Sequence, residues 1–228
     1  MGSVRIGKVA KINQKVVEPS SGTDLFGMKG VVRVFYDADP EDPNDQDMAL
    51  IEWTPETLDQ LPPKHFYSAL ENEENWGSAA VPLALLEETE DTFDEFEMAW
   101  KRQEKFTRFI MGRLGREGRM IAKVFEKPAD PTKVTPDNCW YEAIAPFLTR
   151  PQRVTACYPY EEGDGPIKEG DRLTLTALNG IDPSLGILAE VEREGVPLIV
   201  PLQDLLGEDN SKTGRTINAY GLWKAFSA

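Results

Sequence analysis

Leu198-Ile199-Val200-Pro201-Leu202-Gln203-Asp204-Leu205-Leu206 is the stretch on which the reading of this chain turns. A short β-branched run suits a strand. Pro201 then removes a ladder donor and ends it. The leucines that follow are spaced for a helical turn. A near copy, Ala80-Val81-Pro82-Leu83-Ala84-Leu85-Leu86, stands in the first half of the chain. In both places an acidic segment and then a tryptophan-bearing helical stretch follow, so two related units in tandem are expected.

Working outward, the sequence alternates short strands with turns. Val4 to Val17 alternates loosely, Val31 to Tyr36 is a strong strand, and Met48 to Trp53 is its return. Thr54 to Pro63 reads as a turn and one short helix stopped by two prolines. In the second half, Arg153 to Tyr160 and Arg172 to Leu178 read as strands. Leu185 to Glu192 and Pro197 to Val200 form a hairpin turned at Arg193-Glu194-Gly195. Short strands joined by turns predict a mainly β (α+β) protein of two small SH3-like barrels in tandem. Connecting and terminal helices complete the expected fold. The boundaries fall at residues 1–90 for the first barrel, 91–127 for a helix with a basic segment, and 128–228 for the second barrel.

The connecting helix is predicted from Thr92 to Leu114. Thr92 and Glu95 suit a capping box, in which hydroxyl and carboxylate each satisfy an otherwise orphan amide. Phe93, Phe96, Trp100, Ile110 and Leu114 follow helical spacing and predict the packed face. Asp137 to Leu148 predicts a second helix. Ile217, Tyr220, Leu222 and Trp223 predict a terminal one.

The chain has 228 residues, 40% hydrophobic and 28% charged, the composition of a globular protein. No apolar run approaches the roughly 20 residues of a membrane helix. The opening Met1 to Lys8 has no secretory apolar stretch, and Ile6 stands where a myristoylation signal wants Ser or Thr. Cys139 and Cys157 fit no disulfide framework or C-x-x-C pattern. A cytoplasmic location is expected.

The net charge of −14 is unevenly placed. Residues 1–100 carry 7 basic and 21 acidic side chains, net −14. Residues 101–127 carry 9 and 3, net +6, and residues 128–228 carry 9 and 15, net −6. Such an acidic surface repels nucleic acid and anionic membranes and favours cations or a basic protein partner. The oligomeric state is left open. Arg113, Arg116, Arg119, Lys123 and Lys127 lack an aromatic platform or nucleic-acid motif. They read as a saddle between two acidic halves or as the charged face of a helix.

Asp37, Asp39, Glu41, Asp42, Asp45 and Asp47 crowd the loop between two strands. Calcium takes six to eight hard oxygen ligands in a flexible shell, which such a loop can supply. As an EF-hand the loop fails: Asp42 replaces the turn glycine and Met48 the final bidentate glutamate. A solvated hairpin tip that blunts a sheet edge is the alternative. Glu161, Glu162 and Asp164, with Glu169 and Asp171, make a second acidic cluster. No three-ligand zinc site assembles from one histidine and two separated cysteines. His65 has no partner in a G-x-S-x-G elbow or catalytic cysteine context, so it reads as structural and no catalytic residues are assigned. No Walker A or G-x-G-x-x-G motif occurs, so no nucleotide cofactor is expected. Trp53, Trp76, Trp100, Trp140 and Trp223 are spread over all elements. That spread reads as core for most of them and leaves one or two for a groove.

Asn138-Cys139-Trp140, the strand after Gly170-Asp171, the V-P-L-x-x-L-L element and the ending T-I-N-A-Y-G-L-W together resemble the small cyanobacterial calcium-binding protein family. The resemblance covers residues 137–225. It implies an acidic SH3-like barrel with flanking helices, with Glu161, Glu162, Asp164, Glu169 and Asp171 at its acid-bearing positions. Tyr220, Leu222 and Trp223 stand for its aromatic ending. The expected function is a non-enzymatic calcium-binding buffer or sensor, with Ca2+ as its ligand. The alternative is a protein-interaction adaptor whose acidic loops are solvated surface.

Overall fold

A computed structural model describes residues 4–38, 46–72, 74–126, 134–157, 167–208 and 210–227. The chain divides into two compact units, Met1–Ile110 with Phe226–Ala228, and Met111–Ala225.

In the first unit, β1 (Val9–Ile12), β4 (Lys29–Tyr36), β5 (Met48–Trp53) and β6 (Ser78–Pro82) form an antiparallel meander, and β7 (Leu86–Glu88) returns to β1. The sheet order is β6-β5-β4-β1-β7. A two-stranded hairpin, β2 (Val17–Glu18) with β3 (Thr23–Asp24), fills the β1–β4 connection. Pro82 ends β6, and the 3-10 turn Leu83–Leu85 carries the chain over to β7.

The β5–β6 connection is helical. Thr54 caps α1 (Pro55–Gln60), accepting from Thr57 N at 3.4 Å. Pro55 takes the first helical position, where its missing N–H costs nothing. Pro62 then interrupts the chain, but Pro63 starts a second helix, α2 (Pro63–Asn72). The expectation of one helix stopped by two prolines is corrected here: a proline closes one helix and opens the next. Phe66 of α2 is fully buried, 5.2 Å from Trp76 and stacked at 4.5 Å on Phe109.

Helix α3 (Glu95–Phe109) is shorter than the predicted Thr92–Leu114, and its cap differs. Asp94 accepts from Phe96 N at 2.8 Å and Glu97 N at 3.3 Å, so Thr92 is not the cap. Glu95 makes two 2.7 Å bonds with Arg33 instead of reaching back. The buried face differs in part, since Ile110 is buried and Phe93 packs on the core as expected. Met98, Phe106 and Ile110 are buried with Gln103 and Lys105, whereas Phe96 is 37% exposed. Lys105 Nζ reaches Asp59 Oδ1 of α1 at 2.6 Å, so a charged residue belongs to the packed face.

In the second unit, β8 (Gln152–Ala156), β9 (Arg172–Asp182), β10 (Gly186–Arg193), β11 (Val196–Pro201) and β12 (Leu205–Gly207) repeat the plan as β11-β10-β9-β8-β12. Pro201 ends β11, and the 3-10 turn Leu202–Asp204 leads into β12. Glu194 and Gly195, both at positive φ (52° and 84°), turn the β10–β11 hairpin between paired Arg193 and Val196. That is the type I′ geometry of two-residue hairpins.

The helices of this unit are α4 (Gly115–Val124), α5 (Pro136–Ile144) and α6 (Lys212–Ser227). Thr135 and Asn138 form a reciprocal capping box at the start of α5. Trp140 of α5 lies 5.6 Å from Tyr220 and 5.7 Å from Trp223 of α6. The Tyr220 hydroxyl accepts from Ile187 N and donates to Asp137 Oδ1, both at 2.9 Å. Gly186 leaves room for that hydroxyl, since a Cβ there would overlap it.

Helix is about 39% and strand about 32%, so the fold is mixed α+β and not mainly β. The sheets are not closed into barrels: the end strands, β6 with β7 and β11 with β12, are not paired to each other. Among the described residues no helix is long and apolar enough to cross a membrane.

Glu52 of β5 binds Arg102 of α3 and Arg33 of β4. Arg102 is only 13% exposed, and burial next to Arg33 lowers its pKa to about 10. Glu52→Gln would leave two guanidinium groups without that carboxylate. The first unit is expected to lose on the order of 3–5 kcal/mol of stability, the cost of orphaning a buried charge. The double variant Glu52→Leu with Arg102→Met should lose less. Urea unfolding of the three proteins decides, and an unchanged midpoint for Glu52→Gln would refute the role.

Candidate interaction face and acidic loop

Directly paired residues of adjacent strands share a sheet face. Val9 pairs with Val31 and Val31 with Glu52, so the three share one face. Met98 of α3 and Phe93 pack on the valines, and the Arg102 and Arg33 bonds seal Glu52 beneath them. A register shift between Val32 and Val34 brings Val34 back onto the same face. Beyond the helix this face carries two further rungs, Val34–Leu50–Ala80 and Tyr36–Met48–Pro82. Val34 is 41% and Tyr36 50% exposed, with Ala80 exposed and Met48, Leu50 and Pro82 half-buried. The outcome is an open apolar ladder across three strands.

The acidic loop leaves from the end of that ladder. Asp37 and Asp47 directly follow and precede the Tyr36–Met48 rung, and both are exposed. Asp47 Oδ1 accepts from Ala38 N at 3.1 Å, and its carbonyl accepts from Leu83 N at 2.8 Å, so Asp47 ties the loop mouth to the end of β6. Asp39, Glu41, Asp42 and Asp45 lie outside the described residues, as do Glu161, Glu162 and Asp164 of the second cluster. Asp171 is engaged, accepting from Lys168 N and pairing with Arg193, each at 2.8 Å. Among the described residues no three His, Cys, Asp or Glu side chains are grouped as a metal centre requires.

The other sequence candidates have structural places. Trp53, Trp76 and Trp140 are fully buried, Trp223 nearly so and Trp100 half-buried, so none of the tryptophans is among the exposed apolar side chains, which include Val34 and Tyr36. Cys139 and Cys157 are half-buried free thiols, pushed up in pKa chiefly by burial. Arg113, Arg116, Arg119 and Lys123 are exposed on or beside α4, and Lys127 lies outside the described residues. The ladder itself was missed in the sequence. Its one signal is that Val31-Val32-Arg33-Val34-Phe35-Tyr36 is apolar on both faces, whereas a half-buried strand alternates.

His65 of α2 is buried, with Nε2 3.1 Å from the Trp76 carbonyl, to which it donates. Nδ1 stands 4.0 Å from Glu18 of β2. Burial alone would raise Glu18, but hydrogen bonds from Ser21 and Ser20 hold it below the usual carboxylate range. Ser68 Oγ to Ser20 O at 2.8 Å and Lys64 Nζ to Gly22 O at 3.1 Å complete the seam between α2 and the β2–β3 hairpin.

Comparison with family models, curated proteins and solved structures finds no significant match to this chain.

Burial depresses His65 below its ordinary 6.5, against weaker upward pulls from the Trp76 carbonyl, Glu18 and Glu74. The unfolded chain therefore takes up this proton first, and stability present above pH 6.5 is lost as pH falls from there through the folded pKa. Thermal melts between pH 7.5 and 5.5 should show a declining Tm for the native protein and a flatter profile for His65→Gln. Parallel slopes would remove His65 as the cause.

Proposed function

We propose that the chain is a non-enzymatic protein-interaction adaptor whose first unit docks a partner segment on the open Val34–Tyr36 ladder. One observation carries this reading: two apolar rungs remain uncovered on a sheet face that α3 otherwise occupies, directly beside the acidic loop. Exposed apolar area rimmed by charge is a recurrent feature of docking surfaces. The carboxylate rim suits a partner segment that carries apolar side chains flanked by Lys or Arg. The five-strand order, with a 3-10 turn before the last strand, supports an SH3-like plan for both units, and that plan serves many unrelated functions. The cytoplasm is the compartment we assign.

Val34→Ser with Tyr36→Ser removes the two exposed apolar anchors without touching the buried face. Proteins retained by immobilised wild-type chain in the presence of a chelator, and identified by mass spectrometry, should be lost from the double variant. Retention of the same set by both forms would overturn the docking face.

A second reading, calcium binding as a buffer or sensor, is favoured by the placement of Asp37 and Asp47 on either side of one loop mouth. A cation bound between two carboxylates on one loop would offset their like charge. They would supply only part of the six to eight oxygens calcium needs, so Asp39, Glu41, Asp42 and Asp45 would have to complete the set. The resemblance of residues 137–225 to a calcium-binding family supports an ion at Glu161, Glu162 and Asp164 as well. Bound calcium would neutralise the rim beside the ladder and so change its preference for a basic partner. Calorimetric titration of the chelator-stripped protein should then give saturable heat at micromolar calcium, lost from the first loop in Asp37→Asn with Asp39→Asn. Absence of heat up to millimolar calcium would exclude the ion and leave the carboxylates as the rim alone.

A further inference from the structure

Several described cations of this chain are paired with carboxylates. Arg5 meets Glu88, Lys29 meets Asp91, Lys101 and Lys105 meet Asp59, Arg193 meets Asp171 and Lys224 meets Asp137. Helix α4 groups three that are not. Arg116, Arg119 and Lys123 are exposed, and among the described residues no carboxylate lies within ion-pair distance of any of them. They occupy positions i, i+3 and i+7, one stripe of the helix, and the buried Gly118 and Ile121 lie on the opposite side. In a chain that carries 39 acidic side chains against 25 basic ones, this stripe is a local surface of positive charge.

We infer that this stripe of α4 is a docking surface for an acidic helical segment of a partner protein. Charge complementarity and spacing fix the occupant. From Arg116 to Lys123 the stripe rises about 10 Å, at 1.5 Å per residue. A partner helix with carboxylates at i, i+3 or i+4, and i+7 presents the same spacing, and Arg116 and Arg119 can each grip a carboxylate with two parallel bonds. A membrane surface fits less well. A basic amphipathic helix binds lipid by inserting its apolar face, and here that face is already buried. A duplex fits less well too, because three cations neutralise few phosphates and the net charge of −14 repels the rest. The surface carries charge opposite to that of the acidic loop beside the Val34–Tyr36 ladder.

The test uses the full chain and a fluorescein-labelled 20-residue helical peptide with glutamates at i, i+3/i+4 and i+7 along one face. Fluorescence anisotropy is read in 50 mM and 300 mM salt. Binding should be saturable at low salt and weaker at high salt. It should fall by about ten- to a hundredfold in R116E with R119E and K123E, as expected for three surface ion pairs of ordinary strength. The charge-preserving set R116K, R119K and K123R should bind more tightly than the reversed set but more weakly than the native chain, since lysine cannot make the paired bonds of arginine. Circular-dichroism melts establish that the variants remain folded. Should charge reversal unfold the unit, R116Q with R119Q gives the same readout with less perturbation. Equal affinity for a glutamine version of the peptide, or for the reversed variant, would overturn the proposal. So would no binding at 50 mM salt, or tighter binding of a 20-base-pair duplex or phosphatidylserine vesicles in the same buffer.

Discussion

Glu52 is the residue on which the layout of the first unit depends. It sits on the outer face of a central strand, where a lone carboxylate would be solvated. Instead it receives Arg33 from the neighbouring strand and Arg102 from α3. Arg33 in turn holds Glu95 at the first turn of α3 and lies 5.5 Å from the Phe93 ring. These charges fix where the helix begins and which part of the sheet it covers. The covered half holds Val9, Val31 and Met98. The uncovered half is the apolar ladder, so one ion network places both the packed and the open surface. Buried ion pairs add little net stability against apolar replacements, but removing one partner is costly, which suits a role in fixing geometry.

The two units share a device that the repeated V-P-L stretch encodes. Val81-Pro82 and Val200-Pro201 each end an edge strand, a three-residue 3-10 turn follows, and a three-residue strand pairs with the first strand of its sheet. Proline limits growth of the edge because it has no N–H to offer another chain. The other edge, β7 or β12, is too short to template one. What differs is the long connections. The first unit inserts α1 and α2 between its third and fourth strands, where the second has the two-residue turn Glu194-Gly195.

This contrast explains what was legible in the sequence. The hairpin at Glu194-Gly195 and the strand Met48–Trp53 were readable because turn residues bracket β-branched runs. Helix α2 was not, because Pro62-Pro63 signals an end as strongly as a beginning, and only the cap geometry of Leu61 distinguishes them. The face of α3 was misread because its packed side carries Arg102, Gln103 and Lys105, and periodicity assigns polar residues to water. Tandem units were legible from the repeated element, but sheet closure was not, since closure depends on where the chain ends pair. For the candidate site the acids of the first loop were visible as a cluster. The apolar ladder was not, because a strand apolar on both faces does not say which half a helix will leave bare.

Charge placement ties these features to function. Acidic side chains dominate residues 1–100, while the cations of residues 101–127 split into two kinds. On α3, Lys101, Arg102 and Lys105 turn inward to Asp59 and Glu52 of the same unit, while Arg108 is exposed over the Phe109 ring. Those on α4 turn outward and find no carboxylate among the described residues. On α4, Gly118 and Ile121 take the packed side, which aims Arg116, Arg119 and Lys123 away from it. An apolar ladder rimmed by acid and a helix striped with base therefore give the chain surfaces of unlike sign.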